Sequence, residues 1–423
     1  MYSLCLPDVK NRGENRLSPP PPRHHLPTHH AQTSSPTPTP DPVGEALAGM
    51  TVEQKAAQLL VAGIEGTEPG EDAVQAVQGY QVGGVILFGR NVESAEQLAA
   101  LTNGLKELNG DYTPLFLCVD QEGGRVDRMP PEVTDLPSAL DFGSIADPEA
   151  RMDACFTLGQ TLAAQCAAFG FNMDFAPSLD IWSNPENTVI GDRAFGTDAA
   201  TVTGAANETA LGILSGGVIP VAKHFPGHGD TAVDSHYGLP VVDKSLEELE
   251  ELELRPFRQA IDTTCVYGTY GGDTSIPAIM VAHILLSQID PDNPASLSPE
   301  VVTGLLREEM GYEGVVCTDD LTMGAISNTY GMGEAAVLAV EAGCDLLLVC
   351  HGADNLAEAH AALVEAVDSG RIPEERLDES VRRILALKGA YGLINAPVEA
   401  PDIEALNDRI AALERSIEAD TSQ

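Results

Sequence analysis

Basic residues are scarce in this chain of 423 residues. Lysine and arginine together number 23 against 64 aspartates and glutamates, which gives a formal net charge of −41. Phosphate backbones and anionic lipids repel such a chain, so we expect no nucleic-acid partner and no membrane partner. The acidic excess predicts a halophilic protein whose self-repulsion is screened by concentrated salt, with an ordinary acidic protein as the alternative.

Long apolar runs and closely spaced cysteine pairs are also missing. No apolar stretch reaches the length of a bilayer span, and the N-terminus lacks the charged-then-apolar pattern of a secretory signal. The eight cysteines include no C-x-x-C pair and mostly sit in apolar runs, as Cys118 and Cys350 do. They indicate buried thiols in a reducing compartment, and a cytoplasmic location is expected.

The two ends of the chain differ in composition from the rest. Residues 1–42 are rich in proline and histidine and have too few apolar groups to fold, so they predict a disordered tail. Residues 398–423 read as an acidic helical tail with apolar positions at helical spacing. That tail either packs on the body or mediates association.

Between the tails, residues 43–397 alternate short apolar runs with amphipathic segments. Amphipathic segments such as AEQLAALTNGLKEL, SLEELEELELRPFRQAI and SPEVVTGLLREEM separate the apolar runs. Eight such units over this length predict a single α/β domain with the (β/α)8 TIM-barrel fold, and a doubly wound sheet is the main rival. The eight apolar runs are AAQLLVAGI, VGGVILFGR, PLFLCVDQE, FNMDFAPSLD, VIPVAKHF, AIMVAHI, GVVCTDD and CDLLLVC.

Ionisable residues fall directly after many of these runs, which favours the barrel because barrel enzymes gather their active sites at the carboxyl ends of the strands. Carboxylates and long cationic side chains gathered there can bind sugar hydroxyls and cleave a glycosidic bond. The residues concerned are Arg90, Asp120, Asp180, Lys223, His224, His283, Asp319 and His351. His283 and His351 are interpreted as structural histidines at strand ends and are left out of the site.

The segment KHFPGHGDTAVDSHYGLP, residues 223–240, is a polar loop that follows one apolar run. Its proline and glycines exclude a helix. His228 and Asp230 are expected to hold the loop in shape by hydrogen bonds. A metal site at His224, His228 and His236 is the competing interpretation, but it leaves the other ionisable motifs unexplained, and we expect no metal ion and no cofactor.

Six motifs in order along the chain resemble glycoside hydrolase family 3, and most closely its single-domain β-N-acetylglucosaminidases. They extend over roughly residues 43–395, and the resemblance implies the same eight-fold barrel. The motifs are GGVILFGRN (83–91), VDQEGGRVDR (119–128), FNMDFAPSLDI (171–181), VIGDRAFG (189–196), the 223–240 loop and TDDLTMGAI (318–326).

The resemblance implies a role for each matching position. Asp319 stands where the family has its catalytic nucleophile, and Asp320 beside it is expected to support the loop because successive strand side chains alternate. Arg125 is ambiguous and is interpreted as structural. The residues that match the family's binding positions for the terminal sugar are Asp120, Arg128, Arg193, Lys223 and His224.

The proton donor implied by the resemblance is His236, paired with Asp234 two residues earlier. A neighbouring carboxylate favours the charged imidazolium, which suits a general acid at neutral pH. The expected function is a retaining, exo-acting glycosidase that removes terminal β-linked N-acetylglucosamine from cell-wall fragments or chitooligosaccharides.

Two other functions stay open. Phosphate can replace water against the glycosyl-enzyme, which would make the protein a phosphorylase of β-N-acetylglucosaminides or β-glucosides. A non-catalytic sugar-binding barrel is disfavoured because the nucleophile and the Asp234–His236 pair are intact. The expected partner is a carbohydrate substrate, and a monomer is expected.

Overall fold

Short apolar runs that are buried on both faces form the strands of a closed parallel barrel. The computed structural model describes residues 41–231, 234–235, 237–263 and 276–421. The strands within these residues are β1 (Leu60–Gly63), β2 (Gly84–Leu87), β3 (Phe116–Val119), β4 (Met173–Asp174), β5 (Ile219–Phe225), β6 (Val241–Val242), β7 (Ala278–Val281), β8 (Leu285–Leu286), β9 (Val315–Asp320) and β10 (Leu346–Val349).

Eight of these strands close the barrel in the order β1-β2-β3-β4-β5-β7-β9-β10, with β10 pairing back onto β1. Each lies in one of the eight apolar runs, so the predicted (β/α)8 TIM-barrel fold is confirmed. Strands β6 and β8 form a separate two-stranded parallel ladder. All barrel strands run parallel, so their carboxyl ends share one face, which is where barrel enzymes carry their sites.

Helices surround the barrel, and several of them begin at side-chain caps. The hydroxyls of Thr51, Ser138 and Ser245 each accept a backbone N–H three residues on, in capping boxes. The α-helices are α1 (Pro42–Ala48), α2 (Val52–Gln58), α3 (Glu71–Val74), α4 (Ala95–Asn109), α5 (Ala139–Gly143), α6 (Pro148–Ala168), α7 (Ala199–Ser215), α8 (Leu246–Glu251), α9 (Arg255–Asp262), α10 (Gly324–Ser327), α11 (Met332–Ala342), α12 (Ala353–Asp368), α13 (Glu374–Ala390) and α14 (Ile403–Thr421).

Two amphipathic segments depart from a simple α-helix. SLEELEELELRPFRQAI forms α8 and α9 rather than one helix, because the chain leaves helical geometry at Leu252 and restarts beside Pro256, whose ring cannot continue a helix. The segment SPEVVTGLLREEM is wound as a π-helix over Glu300–Glu309, as is Gln75–Tyr80. The two amphipathic segments remain helical connections between barrel strands.

The C-terminal helix α14 lies against α6. Its apolar positions recur at helical spacing, and Leu406, Ile410 and Leu413 are all buried. Of the two alternatives for the tail, packing on the body is therefore the one observed. Among the described residues, no helix has the length and apolar character needed to cross a membrane.

Candidate active site

A cavity of about 220 Å³ opens at the carboxyl ends of the barrel strands. Its lining combines charged and polar side chains with apolar ones such as Ile86, Met280 and Leu348. Six residues that the sequence singles out for chemistry or sugar binding meet here, namely Asp120, Arg128, Arg193, Lys223, His224 and Asp319.

The loop after β3 carries Asp120, Glu122 and Arg128 into the cavity. The side chain of Gln121 fixes both ends of this loop, because its amide donates to Asp127 Oδ2 at 3.0 Å and its oxygen accepts the N–H of Arg128 at 2.8 Å. The Gln121 backbone N–H donates to Asp174 Oδ1 at 2.9 Å. Burial raises the pKa of Asp174 well above its usual range.

Glu122 bridges two buried cations. Its carboxylate accepts from Lys223 Nζ at 2.6 Å and from Arg193 Nε and Nη2 at 2.9 and 2.7 Å. Burial by itself would raise the pKa of Glu122, but attraction to Arg193 and Lys223 holds it well below its usual range. Lys223 Nζ also donates to Asp120 Oδ1 at 2.6 Å. The cluster is therefore charged, paired and rigid.

His224 lies beside this cluster and is oriented by Asp180. Its Nδ1 is 2.6 Å from Asp180 Oδ2, and its Nε2 is 3.3 Å from Arg193 Nη2. Burial opposes ionisation of Asp180, yet His224 and the His228 N–H lower the pKa of this carboxyl well below normal. Lys223 and His224 are consecutive but both reach the cavity, because the register of β5 against β7 shifts between Ala222 and Phe225.

The carboxylates of Asp319 and Asp320 end strand β9. Burial acts to raise the pKa of Asp319, but His283, His224 and the Asp320 N–H lower it, so Asp319 is ionised at neutral pH. Asp320 is held by the N–H and hydroxyl of Thr322 and by the N–H of Cys350. Asp320 thus braces the loops after β9 and β10, as expected of a supporting residue.

The loop that follows β5 returns to the cavity near Ser235. Ser235 lines the cavity, its carbonyl accepts the N–H of Ala325 at 3.0 Å, and its hydroxyl is 3.3 Å from His228 Nε2. Burial lowers the pKa of His228 to about 4, so this ring is neutral and shapes the loop, as expected. Asp234 precedes Ser235, whereas the predicted acid His236 lies outside the described residues.

Three further residues lie in or beside the cavity although the sequence pattern does not assign them to the site. Glu122 lies inside the motif VDQEGGRVDR and Asp180 follows an apolar run, and both orient cationic or histidine groups. His351, interpreted from the sequence as a structural histidine, lines the cavity. Arg125 has the structural role assigned to it, since it donates to the carbonyls of residues 188–190.

A parallel barrel with an ionised, half-buried carboxylate at its mouth and a cluster of paired charges across from it is the arrangement of a glycosidase. The model of the glycosyl hydrolase family 3 N-terminal domain matches residues 51–387. The chain belongs to this family.

Related proteins and solved structures agree with this assignment. A beta-hexosaminidase of Nitrosomonas eutropha is 36% identical over 331 residues, which cover 77% of this chain and 91% of the relative. The structure of a glycoside hydrolase family 3 beta-N-acetylglucosaminidase from Paenibacillus is 41% identical, with a TM-score of 0.79 over 87% of this chain and 69% of that one. A beta-N-acetylhexosaminidase from Beutenbergia cavernae is 32% identical, with a TM-score of 0.71 over 81% and 99%.

Proposed function

We propose that this protein is a retaining, exo-acting β-N-acetylglucosaminidase. The observation that carries the proposal is the ionised carboxylate of Asp319 on a cavity whose opposite side holds the Asp120–Lys223–Glu122–Arg193 cluster. A cavity of about 220 Å³ lined by these charged side chains suits one terminal sugar. The names of the related proteins supply the identity of that sugar.

In the proposed reaction, Asp120, Arg128, Arg193, Lys223 and His224 hold the hydroxyl groups of the terminal sugar. A carboxylate oxygen of Asp319 attacks the anomeric carbon as the bond to the leaving oxygen breaks, and His236 gives that oxygen its proton. The neutral imidazole, oriented by Asp234, then takes a proton from water. The resulting hydroxide attacks the anomeric carbon and releases Asp319, so the configuration is retained.

The test is a panel of aryl glycosides at molar salt, with and without inorganic phosphate. We expect turnover of the β-N-acetylglucosaminide to exceed that of the β-glucoside and the β-xyloside. The expected product is free sugar in both buffers. Sugar 1-phosphate formed only with phosphate would identify a phosphorylase, and binding without turnover of any glycoside would identify a sugar-binding barrel.

A further inference from the structure

One side of the cavity is not used by the mechanism above. The groups that hold the terminal sugar come from β3, the segment after β4, and β5, which are neighbours in the barrel. Asp319 ends β9, on the side of the barrel opposite β3. Beyond β9 follow β10, β1 and β2, whose ends carry His351 and Phe88 into the cavity lining.

His351 and Phe88 form a stack at this side of the cavity. Their ring centroids are 5.7 Å apart and their planes differ by 24°. The guanidinium carbon of Arg90 lies 4.6 Å from the centroid of the Phe88 ring, within the range of a cation–π contact. Phe88, His351 and Arg90 are hereafter called the rim stack.

Backbone contacts fix the rim stack in place. Arg90 Nη2 donates to the carbonyl of Cys350 at 2.8 Å, and Arg90 Nε donates to the carbonyl of Ile64 at 3.1 Å. The carbonyl of His351 accepts from Asn355 Nδ2 at 2.8 Å, at the start of α12. One arginine therefore contacts Phe88 and also holds the residue that precedes His351, which makes the stack a preformed surface.

Exposure falls steeply from the rim stack to the charged cluster. The side chain of His351 is 55% exposed, whereas those of Lys223 and Glu122 are 2% and 6% exposed. A sugar whose hydroxyls engage the buried groups directs its anomeric substituent away from them, towards the open side. The flat face of His351 is available at that side, and a flat ring packs well against the C–H face of a pyranose or against an aryl group.

We propose that the rim stack is the binding platform for the leaving group, and that it selects a second pyranose or an aromatic aglycone over a small alkyl group. The proposal rests on the proposed glycosidase function, because it needs a substrate whose terminal sugar lies over Asp319. Within the stack, His351 and Phe88 contact the leaving group. Arg90 is a positioning residue that acts through them.

The test compares N,N′-diacetylchitobiose with methyl β-N-acetylglucosaminide in steady-state kinetics. Both leaving groups are alcohols that need protonation, but only the sugar is large enough to reach the platform. For His351→Ala we expect kcat/KM on chitobiose to fall about three- to tenfold, mainly through KM. On the methyl glycoside it should change less than about twofold, and inhibition by free N-acetylglucosamine should be unchanged.

Two further variants separate a platform from a general structural role. His351→Phe keeps a flat ring and should retain most of the chitobiose activity. His360→Ala is the matched control, because this histidine lies on α12, contacts the carbonyl of Glu53 and packs at a tilt against the Tyr80 ring, away from the cavity. It should leave both substrates unaffected.

Equal losses on both substrates in His351→Ala would overturn the proposal, and so would unchanged kinetics on chitobiose. In both cases the wild-type activity remains, so the proposed glycosidase function would stand. Failure of the wild-type protein to cleave either substrate would instead overturn the proposed function.

Discussion

At the scale of single residues, the adjacent aspartates Asp319 and Asp320 differ in role because their surroundings differ. Asp319 is the proposed nucleophile, and Asp320 holds loops in place. Asp320 accepts hydrogen bonds from the N–H of Thr322 and the N–H of Cys350, so its oxygens are engaged in holding loops. Asp319 faces cationic and histidine groups that keep it ionised. The residue type alone cannot separate the two, because strand alternation and loop contacts decide which carboxylate is available.

A prediction at this scale concerns His236, the proposed acid. Its replacement by alanine should lower kcat about 10²- to 10⁴-fold on a disaccharide, because a sugar leaving group needs protonation. A nitrophenyl glycoside should lose far less in the first step, since its leaving group departs as a stable anion. Presteady-state measurement of the first step on both substrates checks this. Equal losses on both would show that His236 only shapes its loop.

At the scale of elements, the sequence predicts the barrel well because each strand is a short apolar run with ionisable residues at its end. Lys223 and Asp319 could be placed at the mouth from this pattern alone. The bridging role of Glu122 could not, because it depends on a β3 loop meeting residues that are 71 and 101 positions further along the chain. The orientation of His351 could not be predicted either, because a histidine that ends a buried strand gives no sign of which way its ring turns.

The β5 loop provides a prediction about close packing. A methyl group at Gly229 would lie 1.7 Å from the carbonyl oxygen of Ile181, a distance that forces the backbone to move. Gly229→Ala should lower the free energy of unfolding by about 1–3 kcal/mol and should also reduce kcat, because this loop leads to the site. Gly389→Ala is the control, since nothing lies within 4 Å of the added methyl group at this exposed position of α13. It should be neutral or stabilise by up to about 1 kcal/mol.

Denaturant unfolding of both variants measures the difference. A Gly229→Ala protein as stable as the wild type would show that the loop relaxes without cost, and that its shape is not fixed by this contact.

Helix α13 places a buried lysine at the opposite end of the barrel from the site. Lys388 Nζ donates to Gln58 Oε1 at 3.0 Å and to the carbonyl of Gly83 at 2.8 Å, and burial lowers its pKa to about 7. An unfolded lysine titrates near 10.4, so between about pH 7 and 10 unfolding takes up a proton. Lys388 should therefore make stability rise with pH in this window, by up to roughly 1.4 kcal/mol per pH unit.

Lys388→Met removes this titration. Free energies of unfolding at pH 7, 8 and 9 should rise more steeply in the wild type than in the variant, whatever the other groups contribute to both. Parallel pH profiles would contradict the assignment of a depressed pKa to Lys388.

At the scale of the whole molecule, the net charge of −41 governs the response to salt. The Debye length is about 10 Å at 0.1 M salt and about 3 Å at 1 M, so repulsion among acidic groups weakens over this range. We expect the melting temperature to rise with sodium chloride and activity to fall below a few tenths molar. Sucrose at matched osmolality is the control and should raise the melting temperature less. A melting temperature that is flat from low to molar salt would refute the halophilic interpretation.

The most direct test of the central claim is to trap the glycosyl-enzyme. A 5-fluoro-N-acetylglucosaminyl fluoride slows release of the sugar, and mass spectrometry of the digested protein locates the adduct. We expect one adduct, on Asp319, and none in Asp319→Ala, which should melt like the wild type and lose turnover on the order of 10⁴-fold or more. An adduct on another carboxylate, or ordinary activity of Asp319→Ala without an added nucleophile, would contradict the account.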